Sequence, residues 1–220
     1  MRQSCARHGA SRRALLAAAL VLTALGGCAP MATYNPAYVV PPVTPDADKL
    51  EGKALIYTLK ADDDTPFVGA PTSFTGGGTK LTIPLGLIAR EIGYTVFNDL
   101  FRQGAAKSNT LDTAAGYRVV VHPKVVSFSY EYNQLKNLGF AITPTVVLSV
   151  DVALLDAKGQ ALTQRRYDSG TVEGPAYMIS GAPGEEIGKV AHKAILDLMQ
   201  RAALDVREVV RKTPAGPMSL

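Results

Sequence analysis

Two stretches of the chain repeat apolar residues at helical spacing. In residues 84–103 apolar side chains recur every three or four positions, and Pro84 and Gly104 suit the start and the end of a helix. A longer stripe of the same kind covers residues 185–211. Each pattern predicts a helix with one face against a core. The first stripe comprises Leu85, Ile88, Ile92, Val96 and Leu100.

Strand patterns lie before and between these helices. Residues 53–59 predict a first strand, and residues 117–132 predict a second one that is interrupted or bent at Pro123. Residues 142–155 are rich in β-branched side chains and end in an Asp-Ala-Lys-Gly turn, after which residues 160–174 return. This arrangement is typical of a β-hairpin.

The order of elements is strand, helix, long strand, hairpin and helix. It predicts an α+β two-layer sandwich over residues 51–211, with a mostly antiparallel sheet and two helices on one face. Residues 212–220 are expected to form a disordered tail. The candidates for the exposed side of the sheet are Tyr130, Tyr132, Phe140 and Val146.

Residues 28–50 precede this domain and are rich in proline. Five prolines resist both helix and sheet, so the segment is interpreted as an extended tether. The alternative is that its apolar side chains dock on the domain. Those side chains are Tyr34, Tyr38, Val39 and Val40.

Residues 1–27 have the organisation of a secretion signal. A basic start is followed by an apolar stretch of twelve residues, 14–25, which is the size of a signal-peptide core and too short to span a membrane. The sequence Leu-Gly-Gly-Cys ending at Cys28 then resembles the lipobox of bacterial lipoproteins. An ordinary cleaved signal with a chance cysteine, or an uncleaved hydrophobic anchor, remains open.

The lipobox resemblance implies cleavage between Gly27 and Cys28 and attachment of fatty acid, such as palmitate, to Cys28. Two or more acyl chains give stable membrane anchoring. Ala29, which follows, is not acidic, and by the sorting rule of enterobacterial lipoproteins it favours the periplasmic side of the outer membrane. The inner membrane remains the alternative.

The net charge of +4 does not indicate a nucleic-acid partner. The signal segment contains four arginines and no acid. Removing these four of the 23 basic residues leaves a number equal to the 19 acidic ones. The mature chain is therefore formally neutral, and no basic patch is implied.

Catalytic and metal-binding patterns are missing from the sequence. The mature chain would hold one thiol, Cys28, and two histidines, His122 and His192, and it contains no Gly-x-Ser-x-Gly elbow. No spacing of His and Cys suggests a metal site, and residues 62–64, three aspartates, are interpreted as a solvated turn. We therefore predict no enzyme, no metal and no cofactor, although two acids could still converge in space.

Gly76, Gly77 and Gly78 form a glycine triplet before Thr79 and Lys80. The triplet lacks the spacing of a phosphate-binding loop, so nucleotide binding is rejected. A glycine-rich loop on a rigid scaffold is a candidate for partner binding.

Over residues 50–211 the chain resembles the YajG-type bacterial lipoproteins and, more distantly, the small outer-membrane lipoproteins of the LptE kind. The resemblance depends on the lipobox, the helix at 84–103, the hairpin turn and the segment YDSGTVEG at 167–174. It implies a small α+β envelope lipoprotein and carries over no catalytic residue.

The leading functional hypothesis is a lipid-anchored periplasmic module that binds or helps assemble an envelope complex or transporter, with homo-oligomerisation open. The alternative is a carrier or sensor for a lipid or another small apolar ligand, which requires a sizeable apolar cavity. Hydrolysis of an envelope polymer would require two carboxylates converging in a cleft.

Overall fold

The computed structural model describes residues 30–75, 77–112, 114–178 and 182–212. A seven-stranded main sheet carries two long helices on one of its faces, and a two-stranded hairpin lies beside it. The α+β class and the position of the helices are confirmed.

The elements are given in chain order. The strands are β1 (Ala54–Tyr57), β2 (Phe67–Gly69), β3 (Leu81–Ile83), β4 (Ala105–Ser108), β5 (Val119–Asn133), β6 (Ala141–Leu155), β7 (Ala161–Asp168), β8 (Val172–Glu173) and β9 (Tyr177–Met178). The α-helices are α1 (Lys60–Asp64), α2 (Leu85–Leu100) and α3 (Pro183–Lys212).

The long antiparallel pair β5–β6 forms the centre of the main sheet, whose strand order is β4-β1-β5-β6-β7. In this pair Val121 lies opposite Leu154 and Tyr132 lies opposite Pro144. The strands β7, β8 and β9 also run antiparallel to β6. Only β1 forms parallel pairs, with β4 and with β5. The mostly antiparallel sheet is therefore confirmed.

The strand β5 continues through Pro123, where the sequence predicts an interruption or bend. Pro123 is paired with Val152 of β6, whereas β1 accompanies β5 only as far as Val121. Proline has no N–H group, and it is tolerated at such an edge position because no second neighbouring strand needs that hydrogen bond. The irregularity lies further on, where the register shifts between Val125 and Ser127.

The core lies between the sheet and the helices. Val146, Leu148 and Val150 of β6 are fully buried, and so are Ile187 and Leu198 of α3. Alternate residues of a strand face the same side, so one face of β6 is apolar along its whole length. This face meets the stripe of α3 that the sequence predicts.

Three of the four side chains expected on the exposed side of the sheet are buried instead. Tyr130, Tyr132 and Val146 are at most 5% exposed, whereas Phe140 is 77% exposed. The hydroxyl group of Tyr130 donates a hydrogen bond to the carbonyl of Gly69, at 2.8 Å. The alternation along β5 is correct, but the sequence pattern does not show which face the helices cover.

The segment of residues 67–83, which the sequence suggests is a loop, adds a structured edge to β5. Its two strands β2 and β3 pair antiparallel with each other. Between them, the amide of Thr72 donates to the carbonyl of Tyr130 at 2.8 Å, and the amide of Tyr132 donates to Ser73 Oγ at 2.9 Å. The segment thus covers the part of β5 that β1 does not reach.

The proline-rich segment does not extend away from the domain. We call residues 30–50 the strap, because they pack across α2 and α3. Ala32 and Val39 of the strap are buried, and the amide of Thr44 donates to Asp99 of α2 at 2.7 Å. The strap ends at Leu50, whose backbone amide donates a hydrogen bond to the carbonyl of Leu100, at 2.9 Å. The extended tether is therefore wrong for these residues, and the docking alternative is what the structure has.

His192 of α3 is the polar centre of this docking. Its ring is completely buried and stacks on Tyr34 of the strap, with centroids 5.6 Å apart. The Nε2 atom accepts the amide of Asn35 at 3.1 Å, and Nδ1 lies 2.7 Å from the carbonyl of Gly188. Only the neutral ring that carries its proton on Nδ1 satisfies both bonds. Burial also lowers the pKa of His192.

We expect the domain to lose stability in mild acid because of His192. The unfolded chain takes up a proton on this ring near pH 6.5, whereas the folded state does so only at lower pH. The contribution of His192 to the free energy of unfolding is thus unchanged above this pH and falls as the pH drops below it. Chemical denaturation between about pH 8 and pH 5 measures the slope.

The control for this measurement is His192→Gln, which cannot take up the proton. In this variant, the free energy of unfolding should no longer show the decrease below pH 6.5 that His192 produces. An equal slope in both proteins would contradict the assignment. Amide exchange at Asn35 gives a second readout, because a protonated Nε2 can no longer accept that hydrogen bond.

We expect Gly188→Leu to displace the strap. A Cβ atom at Gly188 would lie 3.1 Å from the methyl group of Ala32, so a leucine has no room there. The free energy of unfolding should fall by about 1–3 kcal/mol, and proteolysis within the strap should accelerate. Lys193→Leu is the matched control, because it adds the same side chain at an exposed position of α3. Equal protease resistance of both variants would argue against docking.

Candidate interaction surface

Five large apolar side chains at one end of the main sheet are exposed to solvent. We call them the apolar end: Phe74, Leu135, Leu138, Phe140 and Met178. Their exposed fractions range from 66% to 102%. Single exposed apolar residues are common on proteins, whereas a group of them marks a contact surface.

Three separate segments bring these side chains to the same end. The residues between β5 and β6 supply Leu135, Leu138 and Phe140. Met178 of β9 pairs with Ala141, the first residue of β6. Phe74 follows Ser73, whose hydroxyl accepts the amide of Tyr132 near the end of β5. The pairing of the strands therefore determines which apolar side chains come together at this end of the sheet.

The turn between β5 and β6 is held by its own hydrogen bonds. The amide of Lys136 donates to the side chain of Asn133 at 3.1 Å, and the side-chain amide of Asn137 donates to Thr143 at 2.9 Å. The ammonium group of Lys136 forms an ion pair with Glu173 of β8. The polar groups of the turn thus have partners within the fold, while its apolar side chains have none.

Leu138 has a left-handed backbone conformation, with φ of 51°, and it is followed by Gly139 at φ of 83°. This conformation costs an L-amino acid with a Cβ atom roughly 1–2 kcal/mol, and glycine or asparagine normally occupies it. An exposed leucine at this position therefore stabilises the fold neither through its side chain nor through its backbone conformation.

The described chain starts at the same end of the sheet. The carbonyl of Pro30 accepts the amide of Thr82 in β3 at 3.0 Å. A Cβ atom at Gly184, the second residue of α3, would lie 3.0 Å from Pro30. The helix α3 begins shortly after β9, which carries Met178 of the apolar end.

The predicted site residues divide into two groups. Gly27, Cys28 and Gly76 lie outside the described residues. Gly77 and Gly78 are exposed, and a Cβ atom at Gly78 would meet nothing within 4 Å. Gly77 follows Phe74 in a turn closed by a hydrogen bond from its amide to the carbonyl of Phe74, at 3.2 Å. The larger contact surface comes from apolar side chains, of which the sequence predicts only Phe140 to be exposed.

The two histidines of the described chain are bonded to backbone atoms. His192 joins the strap to α3, and Nδ1 of His122 lies 2.8 Å from the carbonyl of Tyr57. Within the ranges that the structure covers, no group of three or more His, Cys, Asp or Glu side chains could hold a metal ion.

The aspartate run at residues 62–64 forms part of α1 and is not merely a solvated turn. Oδ2 of Asp63 accepts hydrogen bonds from Thr58, Arg90 and Asn109 at 2.8–3.0 Å. This carboxylate therefore connects β1, α2 and the segment after β4, which is a structural role.

Two clefts on the surface of the described residues are open and small. One, of about 250 Å³, lies near Asp62, Phe67 and Lys124, and the other, of about 220 Å³, lies between β7 and α3. Sites for small ligands usually enclose roughly 300–1,000 Å³. Neither cleft favours the hypothesis of a carrier for an apolar ligand.

The outer strand β7 is lined with ion pairs. Arg166 binds Asp151 of β6 through two contacts of 2.7 and 3.0 Å, and this partner lowers the pKa of Asp151. On the other face of β7, Arg165 contacts Asp205 of α3 at 2.7 Å. Both arginines therefore lie on an exposed edge strand of the main sheet.

Comparisons with known proteins give similarity in structure only. The sequence matches no protein-family model, and no curated protein matches it. A Xanthomonas campestris protein of the DUF330 family is 12% identical, with a TM-score of 0.49, over 83% of this chain and 97% of that one. A minor lipoprotein from Acinetobacter baumannii is 14% identical, with a TM-score of 0.34, over 71% and 93%.

A PelC dodecamer from Paraburkholderia phytofirmans is also similar, at 16% identity and a TM-score of 0.38 over 74% of this chain and 91% of that one. Bacterial lipoproteins are thus among the similar structures. Identities and TM-scores this low carry no argument about function. The resemblance to YajG-type proteins stays a prediction.

None of the helices in the described residues is both long and apolar enough to cross a bilayer.

We expect Leu138→Asn to stabilise the domain. Asparagine tolerates the left-handed conformation better than leucine, so the free energy of unfolding should rise by about 0.5–1 kcal/mol. Denaturant unfolding measures this change. Leu135→Asn is the matched control, because Leu135 is equally exposed but has an ordinary backbone conformation. An equal gain in both variants would show that lost apolar exposure, and not the backbone, is responsible.

Proposed function

We propose that this chain is a lipid-anchored protein of the bacterial envelope that acts by binding and not by catalysis. The lipid is attached to Cys28 after cleavage behind Gly27, and Ala29 directs the protein to the periplasmic side of the outer membrane. The contact surface is the apolar end. The observation that carries this proposal is that Pro30, two residues after Cys28, lies at the same end of the sheet as these exposed side chains.

The arrangement supports binding for a simple physical reason. An acyl anchor fixes one point of the chain at a membrane, and the docked strap leaves little free chain between that point and the domain. The apolar end is therefore held at a constant place relative to the anchor. Within this proposal, an assembly role on an envelope complex or transporter is the form of binding that we favour.

Chemistry in the described residues supports the same proposal. Both histidines are occupied in backbone hydrogen bonds, and the buried carboxylate of Asp63 has three donors. A protein with such a surface and such side chains is suited to contact and positioning.

We expect Cys28→Ala to release the protein from the membrane fraction, because no acyl chain can then be attached. Fractionation measures the distribution, and mass spectrometry of the N-terminal peptide measures the added lipid. Cys5→Ala is the matched control: it removes the other cysteine, which leaves with the signal, and should alter neither result. Membrane attachment that survives Cys28→Ala would refute the lipid anchor.

A further inference from the structure

Covalent geometry limits the distance between the anchor and the apolar end. Two trans peptide units separate the Cα atoms of Cys28 and Pro30, so these atoms lie at most about 7–8 Å apart. The carbonyl of Pro30 accepts a hydrogen bond from the amide of Thr82. The amide of the neighbouring Leu81 donates a hydrogen bond to the hydroxyl group of Tyr130, at 3.3 Å. The proposed anchor at Cys28 is therefore attached to the chain only two residues before this hydrogen-bonded position.

The apolar end projects beyond the level of Pro30. From Tyr130 the strand β5 continues for three more residues to Asn133, which is about 10 Å at the rise of a strand. The turn with Leu135, Leu138 and Phe140 lies further along the chain. This projection is at least as large as the distance that two residues can span, so a bilayer lying across this end of the sheet would meet both the proposed anchor and the turn.

We propose that the apolar end inserts into the lipid leaflet that holds the Cys28 anchor, so that the domain stands end-on at the bilayer. The inference names the partner of the surface described above and rests on the proposed acylation of Cys28. The insertion is shallow, at the boundary between headgroups and acyl chains, where apolar side chains on a polar scaffold gain most.

The composition of the surface favours lipid over a protein partner. All five members of the apolar end are uncharged, and the nearby cation of Lys136 is neutralised by Glu173. Two polar groups of the turn, the amide of Lys136 and the side-chain amide of Asn137, are already bonded within the fold, so they need no water partner when the apolar side chains enter an apolar medium. The anchor also keeps this surface next to lipid at all times, which removes most of the entropic cost of contact.

The test uses the acylated full-length mature protein, purified from membranes and reconstituted into vesicles of phosphatidylethanolamine and phosphatidylglycerol. L138C carries an environment-sensitive fluorophore, and because acylation blocks Cys28, the label has one site. L204C is the matched control, on an exposed leucine of α3. Circular dichroism checks that both variants fold, and F140C provides a second position at the apolar end.

Lipids that carry a quencher on their acyl chains should remove roughly half of the emission at position 138 and at position 140, as expected for an insertion depth of about 5–10 Å. The label at position 204 should be unaffected. Emission that stays water-exposed at positions 138 and 140, in protein whose mass proves acylation, would overturn the inference and leave the proposed anchor intact.

Two further outcomes are distinguishable. Labels that are shielded from aqueous iodide without being quenched by lipid would mean that a protein or a second copy covers the apolar end, which overturns the inference. A mass spectrum without lipid on Cys28 refutes the proposed function itself, and the inference then falls with it.

Discussion

The docking of the strap depends on a buried, uncharged imidazole. His192 accepts the amide of Asn35 at Nε2 and donates from Nδ1 to the carbonyl of Gly188, so both nitrogen atoms of the buried ring have partners. Stacking with Tyr34 adds apolar contact on one side of the ring. Because the strap is fixed there, the chain enters the domain at a defined place, and the position of any N-terminal anchor follows from it.

The apolar end and the strap are connected through β3. Thr82 pairs with the start of the strap, while Leu81 is bonded to Tyr130 of β5, whose continuation leads to the exposed turn. The proposed membrane anchor and the apolar end are thus linked by a short series of hydrogen bonds through the folded domain. The proline-rich sequence of residues 28–50 suggests an extended tether, and such a tether would leave the relative position of the anchor and the apolar end undetermined.

The periodic elements could be predicted from sequence, and the contacts between distant segments could not. The stripes of α2 and α3 and the alternation in β5 and β6 follow from local patterns. The strand β4 was missed because its sequence, Ala-Ala-Lys-Ser, has no pattern of its own and becomes a strand by pairing with β1. The docking of the strap does not follow from local patterns, because it depends on a hydrogen bond between Asn35 and His192, which is 157 positions away.

The apolar end did have a signal in the sequence. Leu135, Leu138 and Phe140 lie in a stretch that also contains Asn137 and Gly139, residues typical of turns. Apolar side chains in a turn between two strands have no core to enter, which is a reason to expect a contact surface. What the sequence could not show is that Phe74 and Met178 join them, because this depends on the register of the sheet.

The ion pairs along β7 have a consequence for crowding on a surface. Proteins confined to two dimensions collide often, and an outer strand with free backbone groups invites pairing with a neighbour's edge. Arg166 with Asp151 and Arg165 with Asp205 place charge on both faces of this strand. A second flat strand laid alongside would have to accommodate these hydrated groups, so the ion pairs protect the edge against fibre-like aggregation.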